Sequence, residues 1–193
     1  QATDEGTVSG DARGENSVDL QTKRSVASQV AEGSGAVIGG GINNTSSGYY
    51  LAADPSEKVG STVSGGTNNL ANFGGAVIAG GADNTASGYA SAIGGGYNNT
   101  ISGYYSAIVG GLNNTISYTV SASTILGGKD NNVSGSYSIA SGTRSSCSWT
   151  WSALQWTAWR NSTSRRLWTM HRCAMHWGGY FVRGAAAVLQ ATA

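Results

Sequence analysis

The stretch Gly94–Ser117, GGGYNNTISGYYSAIVGGLNNTIS, states one pattern twice. Asn98-Asn99-Thr100-Ile101-Ser102 returns as Asn113-Asn114-Thr115-Ile116-Ser117, fifteen residues on. The glycine pair that opens each unit extends the register: its second member falls at Gly66, Gly81, Gly96 and Gly111, fifteen apart each time. Gly41 precedes Gly66 by twenty-five, so one unit carries an insertion, which takes in Leu51–Lys58 and the only proline, Pro55. Gly128 follows Gly111 by seventeen, with two extra residues placed around Ser121–Thr124. A unit reads Tyr-x-Ser-Ala-Ile-x-Gly-Gly-x-x-Asn-Thr-x-Ser-Gly.

A fixed short period marks a solenoid or an array. Fifteen residues are too few for a helical hairpin, but they suit one coil of two short strands and two turns. Ser106–Val109 and Thr115–Ser117 are short, partly β-branched runs of the strand type. Gly and Asn between them tolerate the left-handed backbone of tight turns. The predicted fold is all-β, a parallel β-solenoid of 15-residue coils. Strands would pair between coils at about 4.8 Å, and six or so coils would stand about 30 Å tall. Ala92, Ala107 and Ala122 are expected inside, as small residues suited to a thin coil.

Composition divides the chain into three. Residues 1–32, with six acids and three bases, form a lead that caps or couples the stack. Residues 33–144 are the repeat body, sparse in charge. Residues 145–193 hold no acids, five arginines, and all the Trp, Cys, His and Met of the chain. That abrupt change reads as a divergent end or as translation in a shifted frame. Charged residues are only 11% of the whole, against about a quarter in ordinary soluble domains. A net charge of +1 points to no polyanionic partner, and no apolar run is long enough for a membrane span. Gln1 opens the chain without a signal-peptide pattern, as in a mature product or an excised segment. Tyr49, Tyr89 and Tyr104 recur at one unit position, with Tyr50 and Tyr105 beside them. That much outward aromatic surface calls for a burial partner, so a homo-oligomer is expected.

The body, Ala36–Arg144, resembles the head repeats of trimeric autotransporter adhesins, whose Ser-x-Ala-Ile-Gly core has equivalents in Ser91-Ala-Ile-Gly94 and Ser106-Ala-Ile108. It is closer still to arrays in phage tail-fibre and bacterial surface proteins, as in Gly80-Gly-Ala-Asp-Asn-Thr-Ala-Ser-Gly88. The lead from Gly10 to Gln21 is similar to the segment that introduces such arrays. This resemblance implies a left-handed, trimeric β-roll on a cell or virion surface, with no catalytic residues. The tail departs from it: only Tyr180-Phe-Val-Arg183 is faintly similar to the expected ending.

Two sets of side chains are candidates for surface function. Glycosylation sequons start at Asn43, Asn44, Asn98, Asn113, Asn132 and Asn161. Asn43, Asn98 and Asn113 share one unit position and would form a column, either of glycan sites or of plain turn residues. Thr85/Ser87, Thr100/Ser102 and Thr115/Ser117, with Thr45 as a fourth rung, would form hydroxyl files. Such files resemble those of ice-binding solenoids, or serve as ladders between coils. With Tyr89 and Tyr104 they are the candidate surface ladders.

Chemistry beyond the surface finds little support. The body has no His and no Cys, so neither a Ser-His nor a Cys-His dyad can be built there. Gly39-Gly-Gly41 leads into Ile-Asn-Asn, which is no phosphate loop. Asp83 and Asp130 fall about three coils apart, on the order of 14 Å, and are too few for calcium. His171, Cys173, His176 and Cys147 match no zinc spacing, and a Cys147–Cys173 disulfide has no support. No enzyme, cofactor, metal or nucleic-acid partner is expected. The expectation is a non-enzymatic extracellular fibre or adhesin segment, offering a repetitive surface to glycans by avidity. An end-to-end stacked filament, with or without N-glycans, is the alternative, and an ice-binding solenoid the third.

Overall fold

The structure is a computed structural model that describes residues 13–49 and 59–148, together with strand backbone at 152–153, 155–156, 174–177 and 180–182. Leu51–Lys58, Tyr50, Asn161, His171 and Cys173 lie outside the described residues. All regular structure among the described residues is β: parallel strands stacked as a β-solenoid of about eight turns. None of the described residues forms a helix long and apolar enough to cross a membrane.

Each coil contributes one strand to each of two parallel sheets. The first sheet has nine strands: Val18–Asp19, Val37–Ile38, Thr62–Val63, Val77–Ile78, Ala92–Ile93, Ala107–Ile108, Thr124–Lys129, Ile139–Thr143 and Gln155–Trp156. The second has seven: Thr45–Tyr49, Leu70–Phe73, Thr85–Ala86, Thr100–Ile101, Thr115–Ile116, Asn132–Val133 and Ser146–Cys147. A ladder of single bridges runs between them through Lys23, Ile42, Thr67, Ala82, Tyr97, Leu112 and Lys129. Ser152–Ala153, Ala174–Trp177 and Tyr180–Val182 form a separate antiparallel sheet.

Register follows the repeat. Val77 pairs with Ala92 and Ala92 with Ala107, fifteen positions apart. The step is not uniform: Ala107 pairs with Thr124, Val37 with Thr62 and Val18 with Val37. The stack exceeds six coils because Val18–Asp19 supplies a strand before the repeats and Ser146–Cys147 one after them. The two extra residues of the seventeen-residue step fall between Ile116 and Ser121, not around Ser121–Thr124. Ile116 stays level with Ile101, and Ser121 already pairs with Tyr104.

The core is a pair of aliphatic columns. Ile38, Val63, Ile78, Ile93, Ile108 and Ile125 descend from the first sheet; Ala71, Ala86, Ile101, Ile116 and Val133 descend from the second. A fully buried Ile stabilises by roughly 1.5–3 kcal/mol. The expected inward alanines are on the other side. Ala92 and Ala122 are exposed and Ala107 half-buried. Successive strand side chains alternate in direction, so with Ile93 and Ile108 inside, Ala92 and Ala107 face out. Ala122 sits at a corner with a left-handed backbone, φ 53°.

Candidate functional site

The glycine-asparagine motif builds a clamp between coils. Asn44, Asn69, Asn84, Asn99, Asn114 and Asn131 form one buried column. Asn99 is typical. Its Nδ2 donates to the Gly95 carbonyl of its own turn at 3.1 Å and to the Gly111 carbonyl of the next coil at 3.0 Å. Its Oδ1 accepts the backbone N–H of Asn114 at 3.1 Å and Asn114 Nδ2 at 2.9 Å. Every side-chain donor and acceptor of this fully buried residue is thereby used. Gln21 starts the ladder by accepting from the Asn44 N–H at 2.9 Å, and Ser145 ends it by donating its N–H to Asn131 at 2.9 Å.

The second glycine of each pair makes this approach feasible. A Cβ built on Gly96, at φ 92°, would lie 2.2 Å from the Gly111 carbonyl oxygen. Gly41, Gly66, Gly81 and Gly111 are crowded in the same way by the coil that follows.

The residue before each buried asparagine turns a corner in the left-handed region: Asn43, Asn68, Asp83, Asn98, Asn113 and Asp130 have φ of 53–57°. Asn and Asp accept that conformation more readily than other residues. The sequon positions Asn43, Asn98 and Asn113 therefore do share a column, but Asn68 and Asp83 lie between Asn43 and Asn98, and Asp130 follows Asn113. Asn98 Nδ2 donates to Asn113 Oδ1 at 3.0 Å, Asn113 Nδ2 to Asp130 Oδ1 at 3.1 Å, and Ser25 Oγ to Asn43 Oδ1 at 3.0 Å. Asn132 is exposed on the second sheet. Asn44 cannot carry a glycan: it is buried, and both Nδ2 protons are donated, to Gly40 and Gly66.

The threonine file has three consecutive rungs, Thr85, Thr100 and Thr115, all half-buried on the outer side of the second sheet. Thr45 occupies the column but is separated from Thr85 by Leu70, and Asn132 follows Thr115. Ser87, Ser102 and Ser117 run beside them, half-buried, their N–H groups donating to Ile101, Ile116 and Val133.

The tyrosines gather at the opposite turn. Tyr89 and Tyr104 are half-buried rather than outermost. Tyr105 packs edge-on against Tyr89 with ring centroids 5.5 Å apart. Tyr118, carried by the two-residue insertion, packs edge-on against Tyr104 at 6.1 Å, and Phe73 contacts Tyr104 from the other side at 6.1 Å. A hydrogen bond with the Tyr118 phenol, together with burial and the proximity of the two phenols, pushes the Tyr104 hydroxyl above its ordinary pKa.

A mostly apolar row lies elsewhere. On the outer side of the first sheet Val18, Val37, Thr62, Val77, Ala92, Ala107, Thr124 and Ile139 follow one another in register, with Leu20, Ala79, Val109 and Leu126 among the flanking residues. None of these is charged. Among the described residues the charges cluster near the ends, as Arg13–Asp19 and Lys129–Asp130–Arg144. No group of three or more His, Cys, Asp or Glu among the described residues could hold a metal ion. The chain matches no protein-family model, no curated protein and no solved structure.

The outer column was readable in the sequence through its sequons, but the inner one was missed. Its signal lay in the repeats: the second residue of the pair is Asn in all six units, whereas the first is Asn in four and Asp in two. The apolar row and Tyr118 were missed because strand alternation and the site of the insertion fix them, and the repeat consensus shows neither.

Proposed function

We propose that this chain is a non-enzymatic fibre or adhesin segment whose rigid stack presents rows of identical groups for multivalent attachment, with glycans as the ligand class. The carrying observation is that outward side chains recur rung after rung in register, as in Thr85–Thr100–Thr115. Groups fixed at about 4.8 Å intervals suit weak contacts summed by avidity better than a single deep site. Hydroxyls, amides and phenols on a surface poor in charge are the groups that recognise sugars.

The same proposal includes a homotrimer of left-handed coils of fifteen residues, placed outside a cell or on a virion. The uncharged row from Val18 to Ile139 is the surface that three copies would turn towards one another.

Light scattering of the native chain followed by glycan-array binding tests the reading. A discrete particle near three chains, with binding that steepens as glycan density rises, supports it. Absence of binding to any dense glycan overturns the adhesive role. Growth into filaments of indefinite length replaces the trimer with end-to-end stacking of coils.

A further inference from the structure

The corner opposite the asparagine column carries a second set of left-handed residues. In chain order they are Gly75, Ala90, Tyr105, Ala122 and Tyr137, with φ between 50° and 70°. They are stacked: the Tyr105 N–H donates to the Tyr89 carbonyl, Ala122 to Tyr104, and Tyr137 to Ser121, at 2.9–3.0 Å. Gly is at home in this conformation, whereas any residue with a Cβ, alanine included, is strained there by roughly 1–3 kcal/mol. A bulky tyrosine kept in that region at an exposed site points to a use.

Both tyrosines spend that strain outward, with Tyr105 64% and Tyr137 51% exposed. They flank Ala122 in the column, two rungs apart, on the order of 10 Å along the stack. Tyr118, 66% exposed, extends the aromatic surface beside them, backed by Tyr104, Tyr89 and Phe73. Tyr105 meets Tyr89 edge-on, and Tyr118 meets Tyr104 edge-on. Among the described residues no member of this corner column is charged. The cluster of Lys129, Asp130 and Arg144 belongs to the asparagine corner.

We infer that Tyr105, Ala122, Tyr137 and Tyr118 form a binding platform for extended neutral oligosaccharides. One pyranose ring stacks on Tyr105, another on Tyr137, and an intervening sugar passes over Ala122. The apolar C–H face of a pyranose fits an open phenol ring, and the phenol hydroxyls bond its rim. The absence of charge in the corner column favours neutral sugars over sialylated or sulfated ones. This inference rests on the glycan-binding reading above and gives it a place.

The test uses the full chain with cellotetraose and chitotetraose, followed by saturation-transfer NMR. A sialylated trisaccharide and a glycan array run in parallel. Tyr105→Ala and Tyr137→Ala install the residue that Ala90 and Ala122 already place in this corner, so folding is preserved. Each substitution is expected to weaken tetrasaccharide binding about tenfold, with no change in particle mass. Tetrasaccharide or array binding that survives both substitutions unchanged overturns the platform and leaves the glycan-binding reading standing. Preference for the sialylated probe overturns the neutral-sugar assignment. A wild-type chain that binds nothing in solution or on the array overturns both. Variants that change the particle mass make the corner a contact between copies and overturn the platform.

Discussion

Asn99 Oδ1 accepts two hydrogen bonds from Asn114, one from its backbone N–H at 3.1 Å and one from its side chain at 2.9 Å. The residue pair thus ties adjacent coils where neither strand reaches. Asn99→Ala leaves the buried Asn114 N–H without its acceptor and the Gly95 and Gly111 carbonyls without a side-chain donor. An orphaned buried group costs about 1–3 kcal/mol, so a loss of about 2–4 kcal/mol is expected. Thr100→Ala, one residue on and half-buried, should cost under about 1 kcal/mol. Urea unfolding of both variants at one protein concentration measures the difference. Equal losses would mean that the ladder adds nothing beyond strand propensity.

The adjacent glycines Gly80 and Gly81 should behave oppositely. A Cβ on Gly80 meets nothing within 4 Å. On Gly81, at φ 85°, it would lie 2.2 Å from the Gly96 carbonyl oxygen and 2.8 Å from Asn84 Nδ2. Gly80→Ala is expected to leave the melting temperature within a few degrees, since its ΔΔG stays near zero. Gly81→Ala should lower it by well over 10 °C or abolish folding, because strained φ and steric overlap act together. Circular dichroism melts of the pair decide the matter, and a well-folded Gly81→Ala would show that the coils can move apart there.

That contrast also marks how far the sequence could be read. Period, strand positions and turn glycines follow from local chemistry, because Gly, Asn and β-branched residues have strong conformational preferences. The stacked β architecture was therefore legible from Gly94–Ser117 alone. The direction of side chains was not: Ala92 and Ile93 are both apolar, and only the pleat says which one is buried. Asn98 and Asn99 look alike in the sequence, yet one turns the corner in solvent and the other is sealed in the core. The lead was legible as a segment but not as a strand, since Val18–Asp19 joins the stack without the Gly-Gly motif. Its Gln21 reaches the ladder with a longer side chain than the asparagine it replaces.

The uncharged outer row of the first sheet gives the self-association proposal a direct check. Val109 is 59% exposed and Val77 40% exposed, so a lysine at either position can point its ammonium into water in a single chain. In an assembly that packs this row against copies of itself, the charge would be buried without a partner, at several kcal/mol. Val77→Lys and Val109→Lys should therefore preserve β-type circular dichroism while reducing the particle mass by light scattering. Tyr97→Lys, outside this row on an exposed bridge position, serves as the control and should leave the mass unchanged. If all three keep the same mass, the row is not the contact.

The Tyr104–Tyr118 pair predicts an alkaline weakness. The Tyr104 pKa is raised in the folded chain, first by the hydrogen bond with Tyr118, then by burial and by the neighbouring phenol. A raised folded pKa means that the folded state holds this proton more tightly than the unfolded one. Its stabilising contribution is then fully present below the unfolded value, about pH 10, and is lost as pH rises through the folded value. Tyr118→Phe keeps the ring and its edge-on packing but removes the bonding partner. At pH 7 the variant should be slightly less stable than the parent. Above about pH 10 the two unfolding midpoints should converge, because the parent loses what the variant never had. Urea midpoints at pH 7, 9 and 11 provide the comparison. A gap that stays constant across that range would show that the two phenols do not share a proton-dependent contact, and that Tyr118 acts through packing alone.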